Sequence, residues 1–274
     1  MATWPRVAPR LRSTPNSRRR RTSAEVVSIS QRRSHRRLRR RDAAEACNRR
    51  DGRGRCDLYL SLRGPEGWSR AINLGAAVNS PYSEKHPSIS ADGRYLYFAS
   101  DRPGGKGSYD IWSSELQDGE WGPAMNLGDS VNTPGLEQSP FIHPDNRSLY
   151  FSSTGWPGMG EGDLFVTRRR SDNNWSRARN LGYPINTWND EIGLSINARG
   201  DRAYFASDRL SGTDTDLYSF EMPLEARPQE VSYFYGRVYD SENMRGLRAR
   251  ISLIDLLTRE VIMELDTWNE DGSF

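Results

Sequence analysis

The 274-residue chain is 35% hydrophobic and 10% aromatic, enough for a packed core over most of its length, and its net charge is +3. That balance hides a division: residues 1–55 hold 18 arginines, no lysine and four acids, a charge of +14, so the remainder carries −11. No run reaches the roughly 18 apolar residues of a membrane-spanning helix, and "AEVVSIS" is too short and too polar for the apolar block of a secretory signal.

The arginine-rich stretch "SRRRRTSAEVVSISQRRSHRRLRRR" could neutralise phosphates. It has no interleaved aromatics, no recognition helix and no lysine, so residues 1–54 read as a disordered segment, which argues against nucleic acid as a partner. Cys47 and Cys56 are the only cysteines. Without a nearby His cluster they cannot complete a four-ligand zinc site, and the sequence leaves open a disulfide or two free thiols.

From Asp57 onward the chain repeats itself. Asp-apolar-aromatic triplets begin at Asp57, Asp110, Asp163 and Asp216, and tryptophans recur at Trp68, Trp121 and Trp175. "NLG" begins at Asn73, Asn126 and Asn180, followed by Asn79, Asn132 and Asn186, then by Glu84, Glu137 and Glu191, then by Tyr-Phe at Tyr97, Tyr150 and Tyr204. Every interval is 53 or 54 residues, the signature of a repeat architecture.

Within one unit, "PSIS", "YLYFAS", "DIWSSE" and "WGPAMNL" read in chain order as four short antiparallel strands. "ADGR" supplies an Asp-Gly hairpin turn, for which two residues of positive φ are expected, and "HPDNR" and "NARGDR" stand in its place later. "DRPGGKGSYD" is a longer Gly-rich hairpin loop, shortened to "DRLSGTDTD" in the last unit. Four such strands per repeat predict an all-β chain containing a partial β-propeller over 55–222. Residues 223–231, with two prolines, read as a linker.

A residue present in every blade answers a need of every blade. Trp68, Trp121 and Trp175 are expected to pack between neighbouring blades, and Asp57, Asp110, Asp163 and Asp216 to bond turn backbone at strand entry. Glu84, Glu137 and Glu191 are expected to bond blade to blade, with a channel-lining role as the alternative. His86 and His143 stand beside no nucleophile, and no Gly-x-Ser-x-Gly elbow exists. The glycines around Lys106 lead into a strand rather than a phosphate-binding helix, and "TDTD" lacks the closing Glu of a calcium loop. No catalytic residue, cofactor or metal is expected. A local site belongs where repeats differ: Trp156, Met159 and Trp188 are loop residues of apolar character found in single units, and are candidates for partner contact.

"PSISADGRYLYFASDRPGGKGSYDIW", "SPFIHPDNRSLYFSS" and "LSINARGDRAYFASDR" resemble the WD-repeat-like propeller units of TolB-like proteins. The fuller unit, with "WGPAMNLGDSVNTPGLEQSPF", resembles the propeller of bacterial OmpA-family envelope proteins over residues 56–222. That resemblance implies a noncatalytic binding or scaffolding module, periplasmic and associated with the outer membrane, with protein partners of the envelope and peptidoglycan association through a further C-terminal module. Residues 232–274, with Gly236 to Asp240 and strands expected at 249–255 and 260–265, are similar to the opening of a carboxypeptidase-regulatory-like domain, implying a truncated β-sandwich. The repeat predicts an aromatic strand at 44–45, where Ala44 and Glu45 stand. Residues 1–54 are therefore expected to be foreign to the repeat, and the chain to be a piece of a longer protein. The alternative function is the accessory or gating propeller of a peptidase whose catalytic domain lies elsewhere.

Overall fold

The computed structural model describes residues 26–29, 47, 49–64, 67–210, 214–232, 236–266 and 272. The chain divides into two compact units, Met1–Val231 and Ser232–Phe274. The first is built of propeller blades, as the repeat predicts.

Blade one consists of Glu84–Ile89, Tyr95–Ser100, Asp110–Gln117 and Met125–Asn126, antiparallel and in sequence order, with Glu120–Trp121 folding onto the end of the third strand. Blade two repeats it with Glu137–Ile142, Ser148–Ser153, Asp163–Arg168 and Arg179–Asn180. Blade three has three strands, Glu191–Ile196, Arg202–Ser207 and Asp216–Glu221. An edge sheet precedes them: Tyr59–Gly64 pairs with Gly67–Trp68 and Ile72–Asn73, and its other side takes Val26–Ile29, which runs parallel where the later blades pair antiparallel. Apart from this strand and Cys47, residues 1–48 lie outside the described residues, and the expectation of disorder there falls with them.

The turn after each first strand differs from the expected two-residue form. Only one residue per turn has positive φ: Gly93 (70°), Asn146 (56°) and Gly200 (73°). Gly93 N donates back to Ser90 O at 2.8 Å, and Asp92 Oδ1 accepts from Arg94 N at 3.0 Å, so an Asx-assisted turn replaces the doubly left-handed one. Each first strand also carries a bulge at one repeated position, occupied by His86 (φ 52°), Ser139 (φ 51°) and Gly193 (φ 66°).

The core lies between blades. Leu58, Val78, Phe98 and Trp112 form one cluster, and Ile111, Val131, Phe151 and Phe165 occupy the same four repeat positions in the next. Leu164, Ile185, Phe205 and Tyr218 do so again within the largest. Each fully buried Phe or Leu contributes about 1.5–3 kcal/mol, so each junction is a small core of its own. On the far side of blade three, Tyr204 is 41% and Leu217 55% exposed, whereas their counterparts Tyr150 and Leu164 are buried.

The 223–231 segment, read as a linker, is held within the first unit. Its one-turn 3-10 helix, Leu224–Ala226, follows blade three, and Tyr150 Oη donates to Ala226 O at 2.6 Å. Gln229 N donates to Asp145 Oδ2 at 3.0 Å.

The second unit pairs Arg250–Ile254 with Val261–Asp266, close to the expected strands. Asp255 Oδ1 closes their connection by accepting from Leu257 N and Thr258 N. Ile254, Val261 and Ile262 are exposed, and among the described residues no second sheet covers this hairpin. The two-layer packing that defines a sandwich is therefore not formed among them.

Candidate functional site

The repeated polar residues form two internal seams. In the first, Asn132 acts as a length of strand: its Oδ1 accepts from Ile111 N at 2.8 Å and its Nδ2 donates to Ile111 O at 2.9 Å. Its Nδ2 also reaches Asn126 Oδ1, and Asn126 Nδ2 donates to Asp110 Oδ2 at 2.7 Å. Asp110 in turn accepts from Lys106 N and Gly107 N in the long loop. Asn79, Asn73 and Asp57 repeat the relay onto Leu58. In blade two the relay is cut. Asn186 still clasps Leu164 and reaches Asn180, but Asn180 Nδ2 donates to Pro157 O, and among the described residues the buried Asp163 Oδ1 has no hydrogen-bond partner. Asp216, the fourth triplet residue, opens the last strand of blade three.

The second seam is carboxylate. Glu84, Glu137 and Glu191 are fully buried at the start of each first strand. Glu137 accepts from Thr133 N, Thr133 Oγ1 and Ser153 Oγ at 2.6–2.9 Å. Glu84 and Glu191 do the same with Ser80 and Ser100, and with Thr187 and Ser207. Burial pushes all three carboxyls above the usual range, with these hydrogen bonds opposing it. Two of them also meet a guanidinium: Arg102 Nη2 lies 2.9 Å from Glu84 and Arg209 Nη2 3.2 Å from Glu191.

Among the described residues Glu137 has no such partner, and Gly155 stands in the repeat position of Arg102 and Arg209. The adjoining Trp156 fills the space. Arg102 Nη2 donates to Val78 O and Arg209 Nη2 to Ile185 O; in blade two it is Trp156 Nε1 that donates to the corresponding Val131 O, at 2.8 Å. Trp156 packs against the Ile111–Val131–Phe151–Phe165 cluster, with Arg177 over its ring at 5.2 Å.

The tryptophans at the other repeated position bridge blades. Trp121 packs on the cluster containing Leu58 and Phe98, and Trp175 meets Tyr97 of the preceding blade edge-on at 5.7 Å. Trp68, in the edge sheet, is 39% exposed.

The long loops and the connectors entering the first strands share one end of the blades. Glycines let them touch: a Cβ on Gly107 would run into Gly135 O, on Gly160 into Thr187 O, and on Gly54 into Tyr82 O. Gly52, Gly105 and Gly158 repeat in the same way beside Asp57, Asp110 and Asp163. The glycine spacing of the repeat thus continues before residue 55, to Gly52. The missing aromatic strand at 44–45 hid it, since the loop is recognisable only by its glycines. Cys47 and Cys56 are joined as a disulfide (S–S 2.09 Å) across this first loop.

With the seams internal, few of the singled-out residues remain on the surface. Met159 is 51% and Trp188 75% exposed, and Gly160 packs directly on the Trp188 backbone, so the two occupy adjoining loops. One blade earlier the position of Met159 carries Lys106, paired with Asp129 at 2.5 Å. The position of Asp129 is Tyr183 in the next unit, 60% exposed. An ion pair on the loop face is thus replaced by two apolar side chains. Beside them, Asp190 N donates to Asp208 Oδ1 at 3.1 Å, and burial, then Asp208, raise the Asp190 carboxyl. Among the described residues, no three His, Cys, Asp or Glu side chains are grouped to hold a metal ion, and no helix is long and apolar enough to cross a membrane.

Sequence reasoning grouped Trp156 with Met159 and Trp188; the structure separates it from them. It passed over Arg102 and Arg209, whose 18-residue spacing from Glu84 and Glu191 was the available signal.

No protein-family model and no curated protein matches the chain. Among solved structures it is similar to TolB from Acinetobacter baumannii (13% identity, TM-score 0.39, covering 74% of this chain and 48% of that one). It is also similar to a putative TolB from Agrobacterium tumefaciens (17% identity, TM-score 0.35, covering 74% and 60%). A puromycin-hydrolyzing peptidase of Mycobacterium tuberculosis is matched at 15% identity and TM-score 0.40, covering 79% and 39%. The chain spans 60% or less of the length of each.

Proposed function

We propose that this chain is a noncatalytic binding and scaffolding propeller of an envelope protein of the OmpA-associated kind, engaging protein partners through its loop face. The observation that carries this reading is the contrast within the repeat. The repeated carboxylates and amides are engaged in internal bonds, whereas Met159, Tyr183 and Trp188 replace polar or small residues on one exposed face. Exposed Met and aromatic side chains held on a rigid frame are common interface anchors. The Cys47–Cys56 bridge supports an oxidising compartment such as the periplasm. Peptidoglycan association through a further module belongs to the same proposal.

The test is site-specific photo-crosslinking in the periplasm of a bacterial host, from a probe at position 188 and a control probe at exposed Leu210. One discrete adduct from position 188, lost on Met159→Ser, is expected. Adducts equally abundant from both positions would overturn the reading, and an adduct that is itself a peptidase catalytic domain would favour the accessory-propeller alternative.

A further inference from the structure

The connector that enters each blade carries one seven-residue sequence: "NLGAAVN" at 73–79, "NLGDSVN" at 126–132 and "NLGYPIN" at 180–186. Each closes on itself. In the second, Gly128 (φ 74°) turns the chain, and its N–H donates to Asn126 Oδ1 at 2.8 Å. Asn132 N donates to Gly128 O at 2.8 Å, and Asn132 Nδ2 reaches Asn126 Oδ1 at 2.9 Å. The other two segments make the same three bonds. The segment is thus held in shape by its own hydrogen bonds, as a preorganised plug.

Each plug seats on the third strand of the preceding blade. Leu127 N donates to Ile111 O at 3.1 Å, Asn132 clasps both backbone groups of Ile111, and Val131 is buried in one cluster with Ile111. Leu74, Val78 and Asn79 treat Leu58 in the same way, and Leu181, Ile185 and Asn186 treat Leu164. Leu217 is the fourth member of this series, at the same place in Asp216–Glu221. Among the described residues no plug reaches it. Its side chain is exposed where those of Leu58, Ile111 and Leu164 are buried, and Tyr204 on the adjacent strand is exposed where Tyr97 and Tyr150 are buried. Asp216–Glu221 pairs with Arg202–Ser207 on one side and, among the described residues, with no strand on the other. Positions 233 and 239, 53 residues after Asn180 and Asn186, are Tyr233 and Tyr239, so the sequence carries no fourth plug there.

We infer that Leu217 is a docking site for an Asn-Leu-Gly-x-x-Val-Asn segment of a partner protein, seated as the chain's own plugs are. The partner's leucine N–H donates to Leu217 O, its second asparagine takes both backbone groups of Leu217, and its leucine and valine cover the Leu217 side chain. The occupant follows from continuity with the three filled junctions: the receiving strand has one pattern throughout, and a segment of one pattern fills it each time. An open strand edge binds such a segment through backbone hydrogen bonds, with the side chains supplying specificity. Because the plug is shaped before it docks, little ordering entropy opposes binding. A second copy of this chain is a poorer donor, since its three plugs are seated in its own junctions. This inference goes beyond the loop-face reading and uses neither Met159 nor Trp188.

The test is fluorescence anisotropy of a labelled peptide of residues 124–133, titrated with the full chain, together with hydrogen exchange at the Leu217 amide. The peptide is expected to bind about tenfold tighter than its Asn132→Ala form and to slow exchange at Leu217. That preference is expected to disappear on Leu217→Asp in the chain, a substitution at an exposed position that leaves the blade cores intact. Equal binding of the two peptides, or binding of neither, would overturn the site. Binding unchanged by Leu217→Asp would overturn it too, since the peptide would then be replacing a plug in a filled junction. Protection of Leu217 in the free chain that rises with chain concentration would assign the face to a second copy instead. The crosslink from position 188 reports separately on the loop face in each of these cases.

Discussion

The indole of Trp156 donates to the carbonyl of Val131 at 2.8 Å, where one blade earlier the guanidinium of Arg102 donates to the carbonyl of Val78. An aromatic that looks like an interface anchor in the sequence is thus a replacement part for an arginine. Trp156→Phe keeps the packing and loses the hydrogen bond, an expected cost of about 1 kcal/mol, and Trp156→Ala is expected to cost about 3–5 kcal/mol. The midpoint of urea unfolding measures both. An alanine variant of unchanged stability would return Trp156 to the list of contact residues.

The same exchange makes the three buried carboxylates unequal. Glu84→Gln and Glu191→Gln each strand a largely buried arginine and are expected to cost about 3 kcal/mol. Glu137→Gln leaves no cation behind, and its amide can accept from Thr133 N while donating to the hydroxyls of Thr133 and Ser153. Its effect at pH 7 is expected to lie within about 1 kcal/mol of zero, of either sign. The Glu137 carboxyl is raised by burial, so the folded state holds a proton more tightly than the unfolded one. The stability it contributes is present at low pH and is lost as pH rises through the folded value. Wild type should therefore gain on Glu137→Gln as pH falls, which comparing the two unfolding curves at pH 7 and pH 5 would show.

His86 works in the opposite direction. Burial, with Lys85 adding to it, lowers its imidazole from 6.5 to about 4, and Ser139 N donates to its Nδ1 at 3.3 Å. The unfolded chain takes up this proton first, so stability is expected to fall as pH drops from about 6.5 to about 4. His86→Asn, whose side chain tolerates the positive φ of the bulge, should flatten that part of the pH profile of the melting temperature.

Gly54→Ala tests where the propeller sequence starts. A methyl group there meets Tyr82 O, as one on Gly107 meets Gly135 O. Both variants are expected to destabilise by about 2 kcal/mol or more, through backbone displacement in a tightly packed place. A harmless Gly54→Ala beside a costly Gly107→Ala would favour a start of the propeller sequence after residue 54.

The blades were legible because a period of 53 or 54 residues survives in strongly constrained positions: Asp110 answers loop backbone, Asn132 replaces a strand, and Phe98 fills a junction. What repetition shows is the need of an average blade. It could not show that Trp156 compensates for Gly155, because compensation moves a function to the neighbouring position and out of register. Nor could it show the close approach of Ser152 and Asp190 at Gly162, since the three are ordinary singly and stand 10 and 28 residues apart. The single left-handed residue in each hairpin was also hidden, since Asp-Gly suits either turn and the side-chain bonds of Asp92 decide between them.

The asparagine clasps have a mechanical corollary. Asn132 grips Ile111, 21 residues behind it, and Glu137 holds Thr133 of the same connector, so each blade is fastened to the one before by the connector that leads into it. No clasp depends on a blade that follows. A pull on the C-terminal side therefore peels blades one at a time, in reverse order of synthesis, each rupture leaving the earlier junctions shut, and the force trace of such a chain is a sawtooth rather than a single break.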